Sequence, residues 1–152
     1  MRVFRSATEV LVAVGTELGH SEWLTITQDR VNRFAEATGD RQWIHVDVER
    51  ATTQSPFGGP IAHGFLTLSL IPTLSAQIYR FDGVRLAVNY GSDKIRYPSP
   101  VPVGSKVQLT STLSDASELP DGALQLSFTH TVSIVGRQKP AVVAEMIVRV
   151  MY

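Results

Sequence analysis

The stretch TGDRQWIH, residues 38–45, places a carboxylate at Asp40 and an imidazole at His45, with Gly39 immediately before them. Histidine is the usual general base near neutral pH, and a nearby carboxylate can tune it or share the proton. Turned toward one cavity, the two groups could hold and activate a water molecule. Five residues along a continuous helix stand about 140° apart, and on a strand such residues face opposite sides. The pair can meet only where the chain leaves regular structure. Gly39 suggests that a helix has already ended, so residues 40–44 are expected to be a loop. Plainer roles fit the same residues. Asp40 can be a turn residue after a helix-ending glycine, and His45 a satisfied core histidine beside Trp43 and Ile44.

A second candidate feature is PIAHGFLTLSL, residues 60–70. The first amides of a helix lack internal partners, the dipole there favours negative charge, and glycine admits a ligand close to the backbone. The Gly64 amide could therefore bind a carbonyl oxygen that becomes an enolate. Gly64 can equally relieve crowding where a helix meets a sheet, and His63 can be a cap or a donor behind the site.

The elements around these residues divide the chain in two. In the first half, Ser6 and Glu9 have capping-box spacing at the start of a helix ending at Gly15. EWLTIT is a short strand candidate. Thr27 can cap a helix in which Val31, Phe34 and Ala35 share a face, with Gly39 as its stop. Asp47 can cap a short helix, VERATT. Residues 61–79 are apolar on nearly every side, the pattern of a buried helix, with Pro72 expected to kink it. The second half reads as strands: VRLAVNY, then KIRY after a break at 91–93, KVQLTSTL, ALQLSFTHTVSIV after a Pro-Asp-Gly turn, and PAVVAEMIVRVM. One buried helix followed by an antiparallel meander suggests a sheet wrapped around a helix, an α+β fold.

Composition narrows the function. The 152 residues fit one domain, 1–152, and 43% are hydrophobic. Lys plus Arg equals Asp plus Glu, at 14 each, which argues against nucleic-acid binding and leaves little charge to oppose self-association. With no cysteine there is no disulfide, thiolate ligand or thiol nucleophile. The histidines, His20, His45, His63 and His130, lack metal-motif spacing, so no metal site is expected. No secretion-signal or membrane-spanning run is evident, and a soluble, cytoplasmic protein is expected.

At Asp40 and Gly64 the chain resembles the MaoC-like, R-specific enoyl-CoA hydratases. The family pattern of an aromatic, a small residue, Gly-Asp, a hydrophobic, His and a later Ala or Ser maps onto Phe34, Thr38, Gly39, Asp40, Ile44, His45 and Ala51. FGGPIAHGFLTLSLIP follows it. YPSPVPVGS, Tyr97 to Ser105, resembles a further family element with a one-residue offset. The resemblance spans roughly residues 20–150. It implies a hotdog fold, an antiparallel sheet wrapped around a long central helix, and a homodimer whose sheets join edge to edge. It implies reversible hydration of trans-2-enoyl thioesters to (R)-3-hydroxyacyl thioesters on CoA or an acyl-carrier protein. The thioester is itself the substrate, and no cofactor is needed. Asp40 and His45 would hold the water, and the Gly64 amide would stabilise the enolate. Gln42, Ile61, Ala62 and Phe65 flank the two candidate loops and would line the acyl end or pack in the core, His63 would meet the substrate or stand behind the site, and Asn89 would meet the pantetheine or a loop. Lys94, Arg96 and Lys106 could meet the CoA phosphates or be solvated strand charges. The family's usual Asn-Pro is replaced by Gln42-Trp43, which bears on pocket shape.

Two rival functions stay open. Hotdog folds also host thioesterases, which want a carboxylate on or near the central helix, whereas residues 63–78 contain no Asp or Glu. A binding protein could keep the fold without the chemistry, although Asp40 and His45 are both present.

Overall fold

Polar caps start the helices of the first half. In the computed structural model, which describes residues 1–151, strand β1 (Arg2–Phe4) leads into α1 (Ala7–Val12). Ser6 Oγ accepts the Glu9 amide at 3.2 Å, and Glu9 Oε2 accepts the Arg5 amide at 2.8 Å. The helix stops at Val12, and a turn carries the chain to Gly15. Strands β2 (Glu17–His20) and β3 (Leu24–Thr25) follow. Helix α2 (Gln28–Thr38) starts where Thr27 Oγ1 accepts the Arg30 amide at 3.2 Å. It ends at Gly39, whose φ of 80° is the left-handed conformation that glycine adopts without a Cβ clash. A single turn, α3 (Trp43–Val46), precedes α4 (Val48–Gln54), which Asp47 caps by accepting the Arg50 amide at 3.0 Å.

The expected long helix is two consecutive helices, α5 (Gly64–Ser69) and α6 (Ile71–Ser75). The break falls at Leu70 because Pro72 has no N–H and its ring crowds the carbonyl four residues back, that of Leu68. The pair is also amphipathic rather than buried on all sides. Leu66, Leu70, Ile71 and Leu74 are buried, while Phe65 is 69% exposed. The chain leaves the helix before Tyr79, which belongs to strand β4 (Tyr79–Phe81). Strand β4 pairs in parallel with β1, a two-stranded unit the sequence reading did not anticipate, and β2 was likewise missed.

Four long strands complete the chain: β5 (Leu86–Arg96), β6 (Lys106–Glu118), β7 (Leu124–Ile134) and β8 (Val142–Met151). The anticipated break at 91–93 is a pair of register shifts inside one continuous β5. The main antiparallel sheet has the order β2-β6-β7-β8-β5, with β3 also on β6. Burial alternates residue by residue along β7, so one face of the sheet meets the core. That face packs Leu109, Leu113, Phe128 and Val142 around Leu66, Leu70, Ile71 and Leu74. The sheet wrapped around a helix is thus present, with the helix broken in two. No helix among the described residues is long and apolar enough to cross a membrane.

Candidate active site

His45 is held from both ends of its residue. Its carbonyl accepts Gln28 Nε2 at 2.7 Å from the first turn of α2, and its Nδ1 lies 2.7 Å from the Ile61 carbonyl. A carbonyl only accepts, so Nδ1 carries the proton and Nε2 keeps the lone pair of a neutral ring. Ile61 is a fixed partner. Its amide donates to the Ile44 carbonyl at 3.1 Å, and the Ala62 amide donates to the Val101 carbonyl at 2.8 Å. His45 is buried, with 6% of its surface exposed. Desolvation pushes its pKa below the ordinary 6.5. The Ile61 bond opposes that shift, His63 reinforces it, and Asp40 opposes it. The ring sits on the one-turn helix α3, not in the loop anticipated through residue 44; the loop ends at Gln42.

Asp40 lies in that loop with an exposed side chain, its Oδ1 3.4 Å from the Gln42 amide. Its carbonyl accepts His63 Nε2–H at 2.9 Å. The His63 ring stacks on His45, with centroids 3.8 Å apart and planes at 28°, and packs against Phe34 at 5.0 Å. Side-chain atoms of Asp40, His45 and His63 all lie within 4.8 Å of one another. Two of the histidines taken as scattered in the sequence are therefore stacked, and the Asp40–His45 pair meets as anticipated. These three are ligand-type residues, but His45 Nδ1 and His63 Nε2 are engaged by carbonyls.

A cavity of about 410 Å³ opens beside His45 and is lined also by Ile61, Ala62, Gly64 and Phe65, four residues anticipated for the site. Gly64 is the first residue of α5. A Cβ there would stand 3.0 Å from Cδ1 and Cε1 of Tyr97, so the crowding explanation for this glycine holds alongside its position in the cavity wall. Gln42, which is exposed, and His63, which is buried, do not line this cavity. Asn89 is not brought to His45; it lines a separate cavity further along α6. Trp43 does not enter the His45 cavity, because its ring lies under the Arg50 guanidinium at 4.3 Å. Arg96 Nη1 donates to the Ile95 carbonyl at 2.8 Å, and Lys94 and Lys106 are exposed. The sequence reading missed Tyr97, Thr67 and Ser99 as wall residues, although the Tyr97–Ser105 element had marked that segment.

Comparison with known proteins identifies the family. The family model described as "MaoC like domain" matches residues 9–133. The 3-hydroxyacyl-thioester dehydratase Z of Mycobacterium tuberculosis is 54% identical over 149 residues, covering 98% of each chain. Nodulation protein N of Rhizobium meliloti is 44% identical over 143 residues, covering 93% of this chain and 89% of its own. Among solved structures, the (R)-hydratase of A. caviae involved in PHA biosynthesis superimposes with a TM-score of 0.69 at 25% identity, covering 89% of this chain and 94% of that one. Family match, full-length relatives and a sheet wrapped around α5 and α6 agree, and the chain belongs to the MaoC-like family with the hotdog fold.

Proposed function

We propose that this protein is a hydro-lyase that reversibly adds water to trans-2-enoyl thioesters, giving (R)-3-hydroxyacyl thioesters carried on CoA or an acyl-carrier protein. The observation that carries the reading is the 2.7 Å bond from His45 Nδ1 to the Ile61 carbonyl, which leaves Nε2 as a neutral base at a cavity. The Asp40 carboxylate supports it: it lies within 4.8 Å of the imidazole, close enough for one water to bridge the two groups. His45 Nε2 takes a proton from that water while Asp40 holds its other hydrogen, and the hydroxyl adds to C3. The electron pair of the C2–C3 double bond moves toward the thioester, whose oxygen gains negative charge beside the Gly64 amide. The proton taken from water leaves the pair for C2, so one water is added overall. No cofactor takes part in this scheme.

The (R) configuration rests on likeness to the A. caviae hydratase, and the thioester substrate on likeness to the mycobacterial dehydratase. The working unit in this reading is a homodimer. Strand β5 ends the main sheet with an unpaired edge, and its Leu86, Val88 and Tyr90 are 40%, 43% and 56% exposed in the single chain. A second β5 edge would cover them. The test is loss of enoyl absorbance with crotonyl-CoA and then with a trans-2-enoyl-CoA about eight carbons long. Turnover that vanishes in His45→Gln establishes hydration at this site. A wild-type protein inert toward both CoA thioesters and their carrier-protein counterparts overturns the reading.

A further inference from the structure

A second cavity, of about 250 Å³, continues the seam between the helices and β8. The first cavity takes Thr67 from α5 and Ala141 just before β8, while the second takes Ile71 from α6 and Met146 and Val148 from β8. Four residues of helix separate Thr67 from Ile71, an advance of about 6 Å. The two cavities share no lining residue, and an acyl chain that extended from the His45 cavity along this seam would reach the second chamber.

Two buried residues with polar groups line that chamber, Tyr79 and His130. His130, on β7, is 2% exposed, and its ring stacks on Phe128 at 5.4 Å, which in turn stacks on Tyr79 at 5.0 Å. Its Nδ1 lies 3.0 Å from the Oγ of Ser111, a residue with no exposed surface. Ser111 Oγ makes no other hydrogen bond among the described residues, so both groups are best satisfied when the hydroxyl donates to Nδ1. The ring hydrogen then sits on Nε2. Burial holds the pKa at about 4, so the ring is neutral. Nε2 has no hydrogen-bond partner among the described residues. Unlike His63 Nδ1, it is not one of the sealed, unpartnered atoms, so it is reached from the chamber. A histidine serving packing alone would have both nitrogens satisfied. Here one is anchored and the other presents a donor to a mostly apolar space, which Asn89, on β5 of the same sheet, also lines.

Building on the acyl-thioester reading above, we propose that His130 is a specificity-determining residue. Its Nε2–H binds a hydroxyl or carbonyl oxygen carried by the acyl chain beyond the reacting C2–C3 pair. A plain alkyl chain in the same place strips solvent from the donor without replacing its partner, which disfavours that substrate.

The experiment compares kcat/KM for trans-2-decenoyl-CoA with its 10-hydroxy and 9-oxo counterparts, in the wild type and in a His130→Leu, Ser111→Ala double variant that leaves no hydroxyl orphaned. In the wild type at least one oxygenated substrate is favoured over the plain chain by about tenfold or more. In the variant that ratio falls to about one. Equal use of all three by the wild type, or a ratio unchanged in the variant, overturns the proposal. A second measurement depends on neither catalysis nor the variant's folding. In ¹⁵N-histidine-labelled wild type, 10-hydroxydecanoate or 9-oxodecanoate shifts the His130 Nε2 resonance and decanoate does not. No shift with either oxygenated acid, or the same shift with decanoate, overturns the role of His130 even where hydration is confirmed. Inertness toward every thioester accompanied by a selective shift counts against the proposed reaction and not against the chamber.

Discussion

His45 and Ile61 are joined by a 2.7 Å hydrogen bond from the imidazole Nδ1 to a backbone carbonyl sixteen residues away, itself tied into the chain. This bond selects the tautomer and aims Nε2, so a substitution that removes the base leaves the surrounding backbone pairs in place. His45→Gln is expected to fold with a near-wild-type melting temperature and to lose at least about a hundredfold in kcat/KM. Enoyl-absorbance assays beside a thermal melt check this, and wild-type-like turnover would remove His45 from the mechanism.

Asp40 contributes through two different groups. Its carbonyl accepts His63 Nε2–H, and its carboxylate approaches the histidines. Asp40→Asn keeps the first and neutralises the second. The expected result is an unchanged far-UV circular dichroism spectrum with activity reduced at least about a hundredfold.

The pH profile has a definite sign. Burial lowers the His45 pKa below 6.5, and the working ring is neutral, so activity holds as pH falls to 6.5 and declines below it. His63 contributes to that lowering. His63→Phe retains an aromatic ring but removes the charge effect and the bond to the Asp40 carbonyl, so its acid limb moves to higher pH. A profile of log kcat/KM against pH for both proteins reads this directly, and an unmoved limb would separate His63 from the base.

His130 gives the stability its own pH dependence. Its folded-state pKa is about 4, below the ordinary 6.5, so between those values the unfolded chain binds a proton that the native state refuses. Stability is therefore expected to fall as pH drops from 6.5 toward 4, at up to about 1.4 kcal/mol per pH unit from this residue. Urea unfolding at several pH values should show a shallower decline in the His130→Leu, Ser111→Ala variant. Parallel declines would locate the effect elsewhere.

Gly64→Ala tests a backbone approach. The added Cβ would meet the Tyr97 ring at 3.0 Å, so the ring must give way at the cavity wall. We expect a folded protein with kcat/KM lowered by about tenfold or more, partly restored when Tyr97→Ala is added. Failure of the second substitution to restore activity would move the cost from steric crowding to the amide itself.

Local signals in the chain were enough to determine the pieces. Thr27 and Gly39 bound α2, Asp47 starts α4, and alternation in LQLSFTHTVSI makes β7, because caps and periodicity act within a few residues. The motif residues Asp40, His45 and Gly64 were also legible as chemistry in waiting. The loop after Gly39 allowed Asp40 and His45 to meet, since helix and strand geometry alone keep positions 40 and 45 apart, but it did not fix how they meet. Only the tertiary structure stacks His63 on His45, brings the Ile61 carbonyl to Nδ1, packs Tyr97 against Gly64 and carries Asn89 away to a different chamber. The same holds for β1 and β4, three-residue strands too short to show a pattern, which exist because residues 2–4 and 79–81 find each other. Pro72 illustrates the boundary between the two. Its kink and the break at Leu70 follow from ring chemistry, but the exposure of Phe65 depends on which face the sheet covers, a choice made by packing between distant segments.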